Sequence, residues 1–581
     1  MTTHVLRVEG VNFAATMDDT QNLSCNRGAS LALSQAVKTV KESLSLSDCG
    51  ATLVFSGASA MAFTLTIPSR LKGDEEGEKA WKKATLDTVH KALSETGRNP
   101  QDVRENHTPP LAHLSFVASM EPIGTDDGVA LARAEARNRA AQFRQLTVVL
   151  PPWPEQPAET KPAEAVDRLN RVLPADTPVW MPGNDPIAPT REEEDEALSS
   201  PQAKPEQLSA SVAARLHYGR RMRQTFYEGE LGKDDYFANL RFTDSLTDLC
   251  AYPPAGVPEG IRNKIAVLYV DGNKFGRIRK SMSGGAPVVS IEALNTFSDQ
   301  LRSHQKGLLH SLLDTLDKVR ENTDEDTRRH AWVWSPEEKR QRLALRLETL
   351  LWGGDEMMWA VPAWLAFWLA EAFFTLSDGW AIEYAGQTHT LTHGAGMVIC
   401  DRKTPIRQAK AMAHELAERA KTTLEGKSDD VLQFDIFESA DLPDGRLDTY
   451  RGGLYPGLTG AFSSAFSLRG RTLTTFIKTI QGLKTEGDLP RSKIYGLLAG
   501  AVHDKAFGDA AKGSDLKTKL GKYLTAMGRP PTLTDGISTL WNDQGDEAKA
   551  VFPLRLAQLA QVWDYIGPFA APERRRRQRS A

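Results

Sequence analysis

Two short segments carry acids in a setting that could hold a divalent metal against a nucleotide triphosphate. One is Gly353-Gly354-Asp355-Glu356, inside LETLLWGGDEMMWAVP. The glycines permit a tight turn with positive φ and leave room for a bulky ligand, and the carboxylates project from the tip. The other is IAVLYVDGNKFGRIRK, residues 265–280, where an apolar run stops at Asp271 and turn formers Gly272 and Asn273 follow. Mg²⁺ or Mn²⁺ prefers oxygen ligands, commonly one or two carboxylates completed by phosphates and water. Two such ions would activate an attacking hydroxyl and neutralise a leaving pyrophosphate. Asp271 and Asp355 are the expected metal ligands, with the Gly272 carbonyl as a further one. Glu356 is expected to bind metal or act as a base. Gly353, Gly354, Asn273, Lys274 and Phe275 are candidate nucleotide contacts, and Lys274, Arg277, Arg279 and Lys280 could hold phosphates.

These acids need two elements to bring them together. Ile265–Val270 is β-branched and apolar, as a strand covered on both faces would be. The apolar sequence on both sides of Gly353–Glu356 predicts a hairpin. Between them, Lys306–Val319 and Glu338–Leu347 read as helices, and Arg320–Arg329 as a solvated insert. Met357–Leu376 is the most apolar stretch, but it contains Glu371 and follows the hairpin, so it reads as a buried helix and not a membrane span.

The same order occurs twice. HVLRVEGVNF (4–13) is similar to VLYVDGNKF (267–275). GATLVFSGASAMAFTLTIP (50–68) is similar to ETLLWGGDEMMWAVP (348–362). LAHLSFVASM (111–120) with the helix VALARAEARNRAAQFR (129–144) parallels THGAGMVICDRKTPIRQAKAMAHELAERAK (392–421). Aligned so, Glu9 falls opposite Asp271, and Ser56, Gly57, Ala58 and Ser59 fall opposite Gly353 to Glu356. A tip without an anionic oxygen is a poor Mg²⁺ site. The first copy is therefore expected to keep the fold and lose the metal, and its tip, with Ser56 and Gly57, suits backbone and hydroxyl contacts to a ribose or base.

Strand-Asp, helix, Gly-Gly-acid-acid hairpin, helix and strand resembles the palm domain of polymerases and nucleotide cyclases. VDGNKFGRI, LLWGGDEMMWAVP and residues 392–421 together resemble the large subunit of type III CRISPR effector complexes more than GGDEF-type diguanylate cyclases. Asn273 stands where that family usually has Asp, and Glu356 where it usually has a second Asp. The resemblance implies an α+β chain with two ferredoxin-like palms, the first degenerate, facing each other across a composite pocket. It implies ATP as substrate, a cyclic oligoadenylate product in antiviral defence, and Lys421 reaching the triphosphate. It also implies guide and target RNA held through other subunits, and small-subunit contacts by the C-terminal domain. A GGDEF-type synthase and an inactive scaffold are the alternatives.

The expected domains are a degenerate palm (1–150), a Pro-rich acidic linker (151–209), a helical inter-palm segment (210–260), the catalytic palm (261–440), a helical domain (441–570) and a basic tail (571–581). The inter-palm helix is expected at Ser211–Glu230. The 581 residues exceed what one core supports. A net charge of −4 argues against coating nucleic acid unaided. Cys25, Cys49, Cys250 and Cys400 form no Cys-x-x-Cys pair, so no zinc ribbon is expected, and a reducing cytoplasm suits them. The start MTTHVLRVEG reads as the first palm strand, with no signal peptide and no preceding HD nuclease domain. His503-Asp504 lacks the partners such a nuclease needs.

Overall fold

The computed structural model describes residues 3–11, 16–17, 19–46, 50–57, 59–97, 109–144, 166–179, 196, 206–231, 241–243, 245–285, 288–320, 325–334, 343–423, 429–438, 442–443, 445–458, 465–485, 491–528 and 545–567. Ala58, Cys49, most of the acidic run 192–196 and the basic tail 571–581 lie outside them.

The first palm comprises β1 (Thr3–Val11), α1 (Leu23–Ser45), β2 (Thr52–Ser56), β3 (Ala60–Thr66), α2 (Glu75–Glu95), β4 (Ser115–Pro122) and α3 (Asp127–Gln142). Its sheet runs β2-β3-β1-β4, all antiparallel. Alternation along β1 divides the two faces. Leu6 and Val8 pack with α1 and α2, whereas Val5 packs with α3.

Short strands β5 (Thr177–Val179) and β6 (Glu206–Leu208) then pair, and α4 (Ala210–Leu231) follows. The linker was expected to lack a core, yet Val179 and Leu208 are fully buried against Cys25 and Leu216. Helices α1 and α4 supply the apolar surface that the Pro-rich sequence lacks. Next come β7 (Arg241–Phe242) and α5 (Leu246–Leu249).

The second palm contains β8 (Lys264–Gly272), α6 (Phe275–Met282), α7 (Ile291–Arg320), α8 (Glu325–Ala331), β9 (Trp332–Trp334), β10 (Leu343–Leu345), β11 (Glu348–Gly353), β12 (Glu356–Pro362), α9 (Ala366–Ser377), β13 (Ala381–Tyr384), β14 (Gln387–Thr390), β15 (His393–Asp401), α10 (Ile406–Thr422) and β16 (Val431–Ile436). Helix α7 covers the expected Lys306–Val319 and extends further. Leu343–Leu345, expected to be helical, is instead a strand paired with β7 and β9. Part of the expected solvated insert folds as α8. Its neighbour Trp332 donates to the Leu316 carbonyl at 3.0 Å, fixing this turn against α7.

The large sheet runs β11-β12-β8-β15-β16-β17, where β17 is Ser467–Arg469. Ile265–Val270 is buried throughout. Ala266, Leu268 and Val270 face α7 and α9, while Ile265, Val267 and Tyr269 face α10. Burying each large apolar side chain here contributes about 1.5–3 kcal/mol. The hairpins of the two palms carry the same irregularity. A bulge interrupts β2 between Leu53 and Phe55, and β11 between Thr349 and Leu351.

The C-terminal domain contributes β17 to the palm sheet and is otherwise helical among the described residues. Its helices are α11 (Leu447–Leu454), α12 (Leu473–Thr485), α13 (Arg491–His503), α14 (Ala510–Ala526) and α15 (Gly545–Val562). No helix among the described residues is long and apolar enough to cross a membrane.

Candidate nucleotide and metal site

Asp271 occupies the last turn of pleat in β8 before the chain leaves the sheet. Glu356 lies directly opposite it on β12, and Gly394 directly opposite on β15. Directly opposed residues share a face, so Asp271 and Glu356 both stand on the α10 side. Asp355 is one residue earlier at the hairpin tip, and its carbonyl accepts from the Gly272 amide at 3.2 Å. Gly353 and Gly354 take φ of 153° and 61°, the positive values the turn requires.

Lys421, in the last turn of α10, donates to the Asp271 carboxylate and to Glu418 Oε1 at 2.8 Å. It can reach Asp271 because Gly394 lies beneath it; a Cβ there would sit 2.6 Å from Lys421 Cγ. Tyr269 donates its hydroxyl to Glu356 Oε1 at 2.6 Å. Tyr269 and Gly394 were missed by the sequence reading. Tyr269 had a signal: it lies two residues before Asp271 on a strand, hence on the same face.

The electrostatics follow from several acids sharing one lysine. Burial pushes the Asp271 carboxyl up to about 6; Lys421 opposes the rise, and Asp355 and Glu356 add to it. Burial disfavours the charged form of Lys421, but its bonds to Asp271 and Glu418 outweigh this and raise its pKa. Tyr269 is raised by burial first and then by the Glu356 and Asp271 charges, so it remains a donor.

The turn after Asp271 is built mainly for structure. Asn273 is buried, and its amide donates to Asp429 O at 3.0 Å and Thr392 Oγ1 at 3.3 Å. It pins the turn to the loops before β15 and β16. Phe275 is buried beneath Gly272, where a Cβ would come within 2.5 Å of its ring. Lys274 is exposed with φ of 59° and starts α6, and Arg277 and Lys280 are also exposed. Arg279 lies over the Phe297 ring.

Strand register corrects the repeat alignment by one residue. Glu9 pairs with Ala60, as Asp271 pairs with Glu356. The Gly10 amide bonds the Ser59 carbonyl at 2.8 Å, as Gly272 bonds Asp355. Gly57, Ala58, Ser59 and Ala60 therefore correspond to Gly353, Gly354, Asp355 and Glu356, and Ser56 corresponds to Trp352. The first tip still offers no carboxylate.

The palms interlock reciprocally. Arg27 on α1 reaches Glu348 on β11, and Asn295 on α7 donates to the Leu53 carbonyl on β2 at 3.1 Å. Between the tips lies a cleft partly open to solvent. Ser56 and Gly57 line it on one side and Trp352, Gly353 and Gly354 on the other, with Ser30 and Ser34 from α1 and Arg302 and Gln305 from α7. Gln305 holds the second tip by donating to the Gly354 carbonyl at 2.8 Å.

The family model described as Cas10/Cmr2, second palm domain, matches residues 264–430. The second palm belongs to the Cas10/Cmr2 family. The match begins at the first residue of β8 and ends just before β16, so it contains Asp271, Gly353–Glu356 and Lys421 of this Cas10-like palm. Among solved structures, Csm1 of T. onnurineus is similar at 14% identity and a TM-score of 0.47, covering 97% of this chain and 70% of that one. A Csm1–Csm4 cassette in complex with cA4 is similar at 14% identity and 0.43, covering 96% and 70%. The cassette with one ATP gives 14% and 0.45, covering 96% and 70%. No curated protein matches the chain.

Proposed function

We propose that the chain is a nucleotidyltransferase of the cyclase type. It joins ATP molecules by attack of a ribose hydroxyl on an α-phosphate, with loss of pyrophosphate, and forms a cyclic oligoadenylate. The observation that carries this reading is the grouping of Asp271, Glu356 and Lys421 beside Asp355 at the hairpin tip, with Gly353 and Gly354 of that tip facing the acid-free tip of the first palm across the cleft. One tip supplies charge, and the other supplies backbone and hydroxyl contacts for a second nucleotide. In-line displacement gains chiefly from such positioning and charge neutralisation.

The donor set fits Mg²⁺ or Mn²⁺. Among the described residues no three His, Cys, Asp or Glu side chains form a cage. Mg²⁺ does not need one, because it usually takes one or two carboxylates and completes its shell with phosphates and water. Asp271 and Asp355, with the Gly272 carbonyl, would hold it. A bound ion would neutralise the triphosphate and lower the pKa of the attacking hydroxyl. Lys421, which donates to Asp271, would exchange it for a phosphate oxygen. Tyr269 holds Glu356 through its hydroxyl and would keep that carboxylate from turning freely.

Membership of the second palm in the Cas10/Cmr2 family supports a role as the large subunit of a type III CRISPR-like complex. Guide and target RNA would be held through other subunits. Helix α13, which leaves Tyr495 43% and Val502 46% exposed, is the proposed small-subunit face. Purified protein is to be incubated with each labelled triphosphate and Mg²⁺ or Mn²⁺, with and without RNA. ATP-dependent pyrophosphate release, lost in Asp355→Ala, is the expected result. A guanosine-only product would favour a diguanylate cyclase, and no release under any condition a scaffold. Co-purifying short RNA would support the complex subunit.

A further inference from the structure

One buried ion pair joins the two palms, and it grips the arm of the catalytic hairpin. Arg27 on α1 and Glu348, the first residue of β11, are each 1% exposed, with Nη1 and Oε2 2.5 Å apart. Arg27 also donates through Nε to the Gly219 carbonyl of α4 at 2.9 Å and through Nη2 to Ser24 Oγ at 2.6 Å. The guanidinium thus ties α1, α4 and β11 together. Glycines bring the two helices close enough for this. A Cβ on Gly28 would lie 1.9 Å from the Arg215 carbonyl, and one on Gly219 the same distance from the Ser24 carbonyl.

Helix α4 then follows the hairpin arm toward its tip. The Tyr227 hydroxyl bonds Thr349 Oγ1 at 2.8 Å, and Glu230 accepts from Trp352 Nε1 at 3.4 Å and from Arg302 at 2.9 Å. Contacts at Glu348, Thr349 and Trp352 thus hold the arm at its base and again next to Gly353. The reciprocal contacts are Asn295 to the Leu53 carbonyl and the Ile291 amide to Asp127 Oδ2 at 3.2 Å, neither of them an ion pair and only the first on a hairpin arm. The charged anchor therefore serves the hairpin that carries the acids.

We infer that Arg27, Glu348 and the α4 residues Tyr227 and Glu230 are positioning residues, which set the acid-bearing tip of the second palm against the first palm's tip. A buried pair is often replaceable by apolar residues without loss of stability, whereas removal of one partner is costly. Stability alone therefore does not call for charges here; a directional, three-way restraint does. The catalytic consequence rests on the proposed function, whereas the geometric one does not.

The test is the double variant Arg27→Met with Glu348→Leu. Spin labels at Lys38→Cys on α1 and Gln387→Cys on β14, in a Cys49→Ser background, report the distance between palms. The wild type is expected to give one narrow distribution, and the double variant a broadened or shifted one, with its melting temperature retained. Kd for a non-reactive ATP analogue should stay within about twofold, while kcat for pyrophosphate release falls at least about tenfold. An unchanged distance distribution overturns the inference whatever the turnover. A changed distribution with wild-type kcat overturns the positioning role. If the wild type releases no pyrophosphate, the proposed function fails and the distance measurement alone decides the geometric claim. Should the double variant not fold, Glu348→Gln, nearly isosteric and uncharged, carries the same readouts.

Discussion

The two palms share a frame and differ where the frame ends. β2-β3-β1-β4 and β11-β12-β8-β15 have the same order, pairing and hairpin bulge. Each has an acid at the end of the central strand, held by the helix that follows the next strand. In the second palm Lys421 holds Asp271. In the first, Gln142 donates to Glu9 at 3.2 Å, and Arg7 on the same strand also pairs with Glu9. Ser59 and Ala60 replace Asp355 and Glu356. Core positions are tied to volume and alternation, while tip positions contribute little to the core, so the tips can diverge without cost to the fold. Even the helix contact shows the trade. Ser119 on β4 donates to the Ala134 carbonyl at 2.7 Å; the matching Gly396 leaves no room, since a Cβ would lie 2.0 Å from the Ala413 carbonyl.

The largest expected effect tests whether only one palm is live. Asp271→Ala should lower pyrophosphate release by at least about 10³-fold, while Glu9→Ala stays within about twofold. Equal losses in steady-state rates would show two working sites and end the contrast. Next is Gly396→Ser, which forces the first palm's residue under α10. It should cost about 2–3 kcal/mol in urea unfolding, against about 1 kcal/mol for Ser119→Gly. A Gly396→Ser protein as stable as wild type would mean that α10 shifts freely.

Asp271 also gives the second palm a pH signature. Its carboxyl is raised from 3.8 to about 6, so the folded state binds the proton more tightly than the unfolded chain. The associated stability is fully present below pH 4 and is lost as pH rises through 6. Asp271→Asn should match wild type near pH 4 and exceed it by on the order of 2 kcal/mol at pH 7.5. Melting temperatures at the two pH values check this, and a variant less stable at pH 7.5 would contradict it. The smallest effect is expected from Lys421→Gln, which installs the first palm's choice. KM for ATP should rise about tenfold with a smaller change in kcat; an unchanged KM would remove Lys421 from the triphosphate.

Much of this was legible because burial writes a periodic signal. Ile265–Val270 reads as a doubly covered strand, and the order of the three repeated segments reads as a second palm. The one-residue offset between the tips was not legible, because Ser56-Gly57 and Gly57-Ala58 both resemble Gly353-Gly354 in residue type and only the strand pairing fixes the register. Leu343–Leu345 was misread because its strand pairing comes from β7, far upstream. Arg27–Glu348 and Tyr269–Glu356 are long-range pairs that no local pattern marks. Asn273 reads from its position as a nucleotide contact, whereas its amide bonds Thr392 and Asp429, partners that no local pattern marks.

The paired bulges have one more consequence. Side chains alternate faces along a strand, so one residue more in β11 would turn every residue beyond it to the opposite face. Leu350 is already the unpartnered residue of the bulge, and a second insertion beside it would separate Glu348 from Arg27 or carry the tip away from Asp271, although no acid had been changed. The hairpin is held to a length more strictly than to a composition. Substitution can silence a tip and leave the molecule intact, as Ser59 and Ala60 show, whereas a single-codon insertion in the same arm would dismantle the junction itself.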